Sequence, residues 1–261
     1  MKRIIQLYFL FLISSLCYSQ KGIVYYGFID ALGVGNSKGP DYNSYLIFNK
    51  EQSYYVTCKD SLENIFDKET QKTYENSDGG GSIYNGLKVS GKGDQVVYHI
   101  KKNIMWSNFL YEKHIYVKEV TPKIDWKIGK ETKKIGKFNC KKATANFRGR
   151  NYIAWFATEI PLPFGPWKFN GLPGLILEVY DTNKNLYWYF KTIEYPTKSN
   201  EKLKYISKPI KDKLYSYSEF KILQKKIKEK ASDKNKMMSK QFPGVTFIDP
   251  EINQIFIECE E

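Results

Sequence analysis

Short apolar runs rich in aromatic and β-branched residues, cut by polar turns, dominate the chain and read as β-strands. The first is GIVYYGFI at 22–29, followed by a turn-rich stretch from Gly33 to Pro40. YNSYLIFN and SYYVTCKD then form a hairpin pattern around Asn49 to Gln52. QVVYHIK, IMWSNFLY and HIYVKEV follow between 95 and 120 as successive antiparallel strands. Residues 138–159 predict two long strands turning near Gly149, and GLILEVYD with LYWYFKTIEY predict a further hairpin around Thr182 to Asn185. Pro122 to Lys137 reads as a polar connection, and INQIFIEC as a closing strand.

One segment changes period. Ser216 and Glu219 form a capping-box pair, and Phe220, Leu223, Ile227 and Ala231 follow at spacings of three and four. Lys221, Lys225 and Lys228 fall on the other side, and Pro243-Gly244 stops the element. A helix docked on a core with a lysine exterior is expected here, a membrane-binding helix being the alternative. About ten or eleven strands against one helix predict a mainly β (α+β) fold. The expected form is a large curved antiparallel sheet, in the manner of a half-barrel, packed on one C-terminal amphipathic helix.

The organisation expected is a signal peptide over 1–19 and a single β-rich domain over 20–261, with a flexible Gly-rich loop near 76–94. Lys2 and Arg3 precede an apolar run, Ile4 to Leu16, that is short for a membrane span, and Ser19 offers a small residue at the cut. The 76–94 loop contains Gly86-x-x-x-x-Gly91-Lys92, a near-miss to a phosphate loop whose next residue is Gly93 instead of Ser or Thr. It is read as coincidence. Export implies a disulfide-permissive compartment, and Cys58, Cys140 and Cys259 allow at most one intrachain bond of unknown pairing.

The formal net charge is +13, carried almost wholly by scattered lysines. Nucleic-acid readers concentrate arginine forks in a patch, so no nucleic-acid partner is expected. Arg148 and Arg150 are the arginines left after removal of the signal peptide. At i and i+2 on a continuous strand they share a face, where two planar forks suit a carboxylate or phosphate. Alternatively they pair with Glu159, Glu178 or Asp181. Tyr152, Trp155, Phe156, Phe164, Trp167 and Phe169 cluster around prolines, as a pocket or as core. Arg148, Arg150, Tyr152, Trp155, Trp167 and Lys168 are therefore the candidate ligand-binding residues. Pro173-Gly174 predicts a type II turn. His99 and His114 lie in neighbouring strands without a third ligand, and no motif of a catalytic nucleophile is present, so no metal, cofactor or catalytic residue is expected.

The most specific text runs from Gly136 to Asp181. Gly136, Phe138, Cys140 to Thr144, Phe147 to Arg150, Tyr152, Ala154-Trp155-Phe156, Glu159-Ile160-Pro161, Gly165 to Phe169 and Gly171 to Ile176 follow one another in order. This window closely resembles the GLPGLI family of exported proteins from Gram-negative bacteria, named after residues 171–176. The resemblance implies export to the periplasm or outer-membrane region, or secretion, and supplies no catalytic residues. The function expected is a non-enzymatic envelope protein binding an anionic envelope ligand or an outer-membrane partner. The alternatives are a structural accessory of an outer-membrane complex and a hydrolase of envelope polymers.

Overall fold

The computed structural model describes residues 21–32, 39–63, 72–75, 81–84, 88–199, 203, 212–241, 247, 249 and 251–259. The signal-peptide expectation, the turn over 33–38, Gly86 of the near-miss phosphate loop and the Pro243-Gly244 stop lie outside these residues.

Twelve strands form one open sheet. In chain order these are β1 (Gly22–Asp30), β2 (Asp41–Phe48), β3 (Gln52–Thr57), β6 (Asp94–His99), β7 (Ile104–Leu110), β8 (His114–Val120), β9 (Lys127–Ile135), β10 (Phe138–Phe147), β11 (Arg150–Ala157), β12 (Leu175–Asp181), β13 (Leu186–Glu194) and β14 (Leu214–Ser216). Their order across the sheet is β14-β8-β7-β6-β3-β2-β1-β13-β12-β11-β10-β9. Every pairing is antiparallel except β14 with β8. The mainly β sheet with one helix packed on it near the C-terminus is thus as the sequence predicts.

Side chains two apart on a strand share a face. Val24, Leu46, Tyr55 and Val96 belong to the large core, and their sequence neighbours Ile23, Ile47, Tyr54 and Val97 to a smaller cluster on the other face. The sheet also curls strongly. Arg148, in the β10–β11 turn, reaches Glu119 at the end of β8, although these strands stand near opposite edges. On the inner face, the Tyr26 hydroxyl donates to the Ile176 carbonyl at 2.6 Å, two places along the sheet.

Helix α1 (Tyr217–Gln241) starts at the expected box: the Ser216 N–H donates to Glu219 Oε2 at 2.9 Å, and the Glu219 N–H to Ser216 Oγ at 3.3 Å. Phe220 and Ile227 are buried against Ile115 and Val117 of β8. Val117 pairs with Ser107, and Ser107 with Val96, so α1 sits on the inner face.

Three expectations change. Residues 127–135 are a strand and not a connection; β9 is the last strand of the sheet, its lysine-rich, exposed text suiting an edge that must not pair further. INQIFIEC is not a strand. Ile252–Ile255 forms the short helix α2, held by reciprocal Glu251–Gln254 capping, and Phe256 to Cys259 run on to the β10–β11 turn. Beside and within the Gly-rich stretch, β4 (Lys72–Glu75) and β5 (Gly81–Tyr84) pair as a separate two-stranded sheet; 76–80 and 85–87 lie outside the described residues. His99 ends β6 and His114 begins β8, with β7 between them, so the two imidazoles stand at opposite ends of their strands.

Candidate functional site

Residues 158–174, between β11 and β12, fold over the concave face. The Ile176 N–H donates to the Phe164 carbonyl at 2.9 Å and the Gly171 N–H to the Pro163 carbonyl at 3.1 Å, so the prolines and glycines hold a compact plug. Gly171 adopts the left-handed conformation, and Gly174 does not, so the type II turn expected at Pro173-Gly174 is absent. Gly174 is required for a different reason: a Cβ there would stand 2.3 Å from the Ala157 carbonyl oxygen. Phe164, Phe169 and Leu172 are the buried side chains of this plug, Phe169 lying edge-on to Tyr152 at 4.7 Å.

The arginines do not share a strand face. Arg148 and Gly149 both have positive φ and make the two-residue turn of the β10–β11 hairpin, so the strand is broken between Arg148 and Arg150. Arg148, 5 % exposed, bonds Glu119, lies 3.5 Å from a Glu258 oxygen and stacks 3.4 Å from the Tyr217 ring centre. Lys168, 1 % exposed, donates to Glu119 at 2.7 Å and to Glu258. Two cations and two carboxylates from β8, the hairpin turn, the plug and the C-terminal tail thus close a buried network. Burial lowers the Arg148 pKa and the Glu258 and Glu119 carboxylates outweigh it, leaving it raised; burial is the main cause that raises Glu258, opposed by Lys168.

Arg150 donates to the carbonyls of Ile257 at 3.0 Å, Phe256 at 3.0 Å and Asn253, and lies 3.8 Å from Asp181. Of the ion pairs expected, only Arg150–Asp181 is present among the described residues. Glu178 pairs with Lys133 at 2.5 Å, and Glu159 accepts the Asn139 N–H at 3.1 Å. Trp155 is three residues from Tyr152 and so on the other face, with the Lys133 ammonium 4.5 Å from its ring. The six candidate residues therefore do not converge: Arg148 and Lys168 share the buried network, Tyr152 packs under the plug, Trp167 belongs to the plug, and Arg150 and Trp155 lie elsewhere. Cys58, Cys140 and Cys259 are all free thiols, and burial pushes Cys140 up to about 12.

Beside the network lies a cavity of about 390 Å³. Its wall is the inner face of β1, β2, β3, β6 and β7, closed by Trp167 and Lys168 of the plug and by the tail. Phe28, Trp188 and Trp167 form an aromatic stack: Phe28 and Trp188 lie 4.5 Å apart and Trp167 and Trp188 5.9 Å, each pair at 13°. Trp188 Nε1 donates to the Tyr55 hydroxyl at 2.9 Å, so its polar end is satisfied inside. Trp167 takes a positive φ of 51°, rare outside glycine.

Asp30 and Asp94 also line this cavity, neither singled out by any motif. Asp30 accepts the Leu32 N–H at 3.1 Å, and Asp94 the Leu110 N–H at 2.7 Å. Burial raises Asp30 to about 6 against the pull of that N–H and of Arg150. Burial raises Asp94 to about 7, with Asp30 adding to the rise. Carboxyls raised in this way are candidates for proton exchange near neutral pH. No group of His, Cys, Asp or Glu among the described residues is arranged to hold a metal ion.

Residues 148–178 match the model of a family described as "Protein of unknown function (Porph_ging)". The match covers the hairpin turn, β11, the plug and the start of β12. No curated protein matches the chain. The structures of PNGF-II in the P21 and C2 space groups are similar with TM-scores of 0.49 and 0.47, each at 14% identity. These similarities cover 78% and 76% of this chain and 32% and 31% of those. The chain thus spans about a third of the length of the structures it matches.

Proposed function

We propose that this is an exported protein of the GLPGLI type that binds a ligand at the cell envelope in the concave cavity, without turning it over. The observation that carries this reading is the concave, aromatic-lined cavity with a few polar groups in its wall, the usual form of a small-ligand site. The plug that closes it is built from the segment that resembles the family. Arg148 and Lys168 frame the site by fixing plug, turn and tail, and their donors are engaged by Glu119 and Glu258; Trp167 is the candidate residue that meets the ligand.

The test is thermal melting with a small-molecule extract of the cell envelope. A ligand that binds only the folded chain raises the melting midpoint by mass action. The extract is expected to raise the midpoint of the parent chain and not that of Ser107→Phe, in which the cavity is filled. Equal shifts in both would contradict the reading.

A second reading, a hydrolase of envelope polymers, is favoured by Asp30 and Asp94. Two cavity carboxyls with pKa values of about 6 and about 7 suit general acid–base work. Turnover of a glycan or peptide polymer that Asp94→Asn abolishes would establish it over simple binding.

A further inference from the structure

We propose that the cavity takes an organic cation, its ammonium group between Asp30 and Asp94 and its apolar body along the Phe28–Trp188–Trp167 stack. This rests on the ligand-binding reading above and names the class of ligand.

The polar end of the cavity is built on strand alternation. Phe28 and Asp30 share a face of β1, Asp94 and Val96 a face of β6, and Ser107 and Phe109 a face of β7, all lining the same space. In a chain of net charge +13, neither aspartate has an ion pair among the described residues; each accepts one main-chain N–H, which leaves its second oxygen open. Ser107, 6 % exposed, lines the cavity with a hydroxyl that makes no hydrogen bond among the described residues. Three oxygens without donors in one wall match the three N–H donors of an ammonium group.

The other walls agree. The faces of stacked aromatic rings attract cations through their quadrupole. An anionic ligand would meet the two carboxylates, and Lys168 in the wall is already engaged by Glu119 and Glu258. Lys88 lies on the cavity margin and is exposed. Other titratable groups around the pair are Arg150 near Asp30, Tyr42, Tyr55, Tyr111 and Glu258 in the cavity wall, and the Cys58 thiol, which feels Asp94, Asp30 and Glu63 and is held protonated by burial.

The ligand class has a pH signature. The carboxyls are partly protonated near neutrality, whereas an alkylammonium, like a lysine side chain, stays charged. Binding should therefore release protons and tighten as the pH rises from about 5.5 to about 8.

The test is isothermal titration of the intact chain with three matched probes: phenethylammonium, 2-phenylethanol and 3-phenylpropionate. At about pH 8 the ammonium is expected to bind about tenfold or more tighter than the alcohol. That preference should shrink at about pH 5.5 and disappear in Asp30→Asn/Asp94→Asn, whose melting midpoint shows that it folds. Equal binding of ammonium and alcohol, or tighter binding of the carboxylate, overturns the cation assignment and leaves a ligand site standing. Binding of none of the three at millimolar concentration overturns both the assignment and the cavity as a ligand site.

Discussion

Arg148 and Lys168 balance the buried carboxylates of Glu119 and Glu258, so removal of either cation strands a charge away from water. Arg148→Met is expected to cost about 3–5 kcal/mol, read as a lower denaturation midpoint in urea. Adding Glu258→Gln should restore part of the loss, because it removes the carboxylate left unpaired. Asp94 works in the opposite sense. Its folded pKa of about 7 lies above the ordinary carboxyl value of 3.8, so the folded chain holds the proton more tightly than the unfolded one. The stability this gives is present in acid and is lost as the pH rises toward and through about 7. Asp94→Asn should therefore raise the melting midpoint by about 2–4 °C at pH 8 and leave it nearly unchanged at pH 4. The sequence marks the arginines by their scarcity and offers Asp181 for Arg150, but the partners of Arg148 lie far along the chain, at Glu119 and Glu258, beyond what local text reveals. Asp30 and Asp94 sit at a strand end and a strand start in no motif, and only the curl of the sheet brings them into one wall.

The two-residue turn at Arg148-Gly149 decides the geometry of the β10–β11 hairpin. Both residues need positive φ, which matches the twist of the flanking strands and turns Arg148 into the buried network. The hairpins were legible because β-branched and aromatic runs alternate with turn residues, and α1 because its cap and apolar stripe coincide. β9 was hidden by its composition: KIGKETKKI lacks an apolar face, since an edge strand can leave most of its side chains in water. The α2 segment misled in the other direction. INQIF carries strand-like residues, and the Glu251–Gln254 capping wins over that local preference. The plug leaves no room for a side chain at Gly174. Gly174→Ala would force a Cβ onto the Ala157 carbonyl oxygen and should destabilise by about 1–3 kcal/mol, measured by urea denaturation.

On the scale of the whole molecule, one long sheet bends until β8 and the β10–β11 turn meet, and the plug, α1 and the C-terminal tail fill the concave side. An open twelve-stranded sheet has too much apolar inner face to leave uncovered, so these elements complete its core. What they leave is the cavity between Trp167, Trp188 and the two aspartates. The sequence alone conveys a curved sheet on a helix, because strand count and order do so. It does not convey the cavity, which depends on contacts between residues far apart in the chain, such as Tyr55 with Trp188. The most direct measurement is native mass spectrometry of the protein purified from its own cell envelope, beside Trp167→Ala prepared in the same way. A small-molecule adduct on the parent chain that is absent from the folded variant is the predicted result. A bare chain in both preparations, or an adduct that survives the substitution undiminished, would contradict a ligand site in the concave cavity.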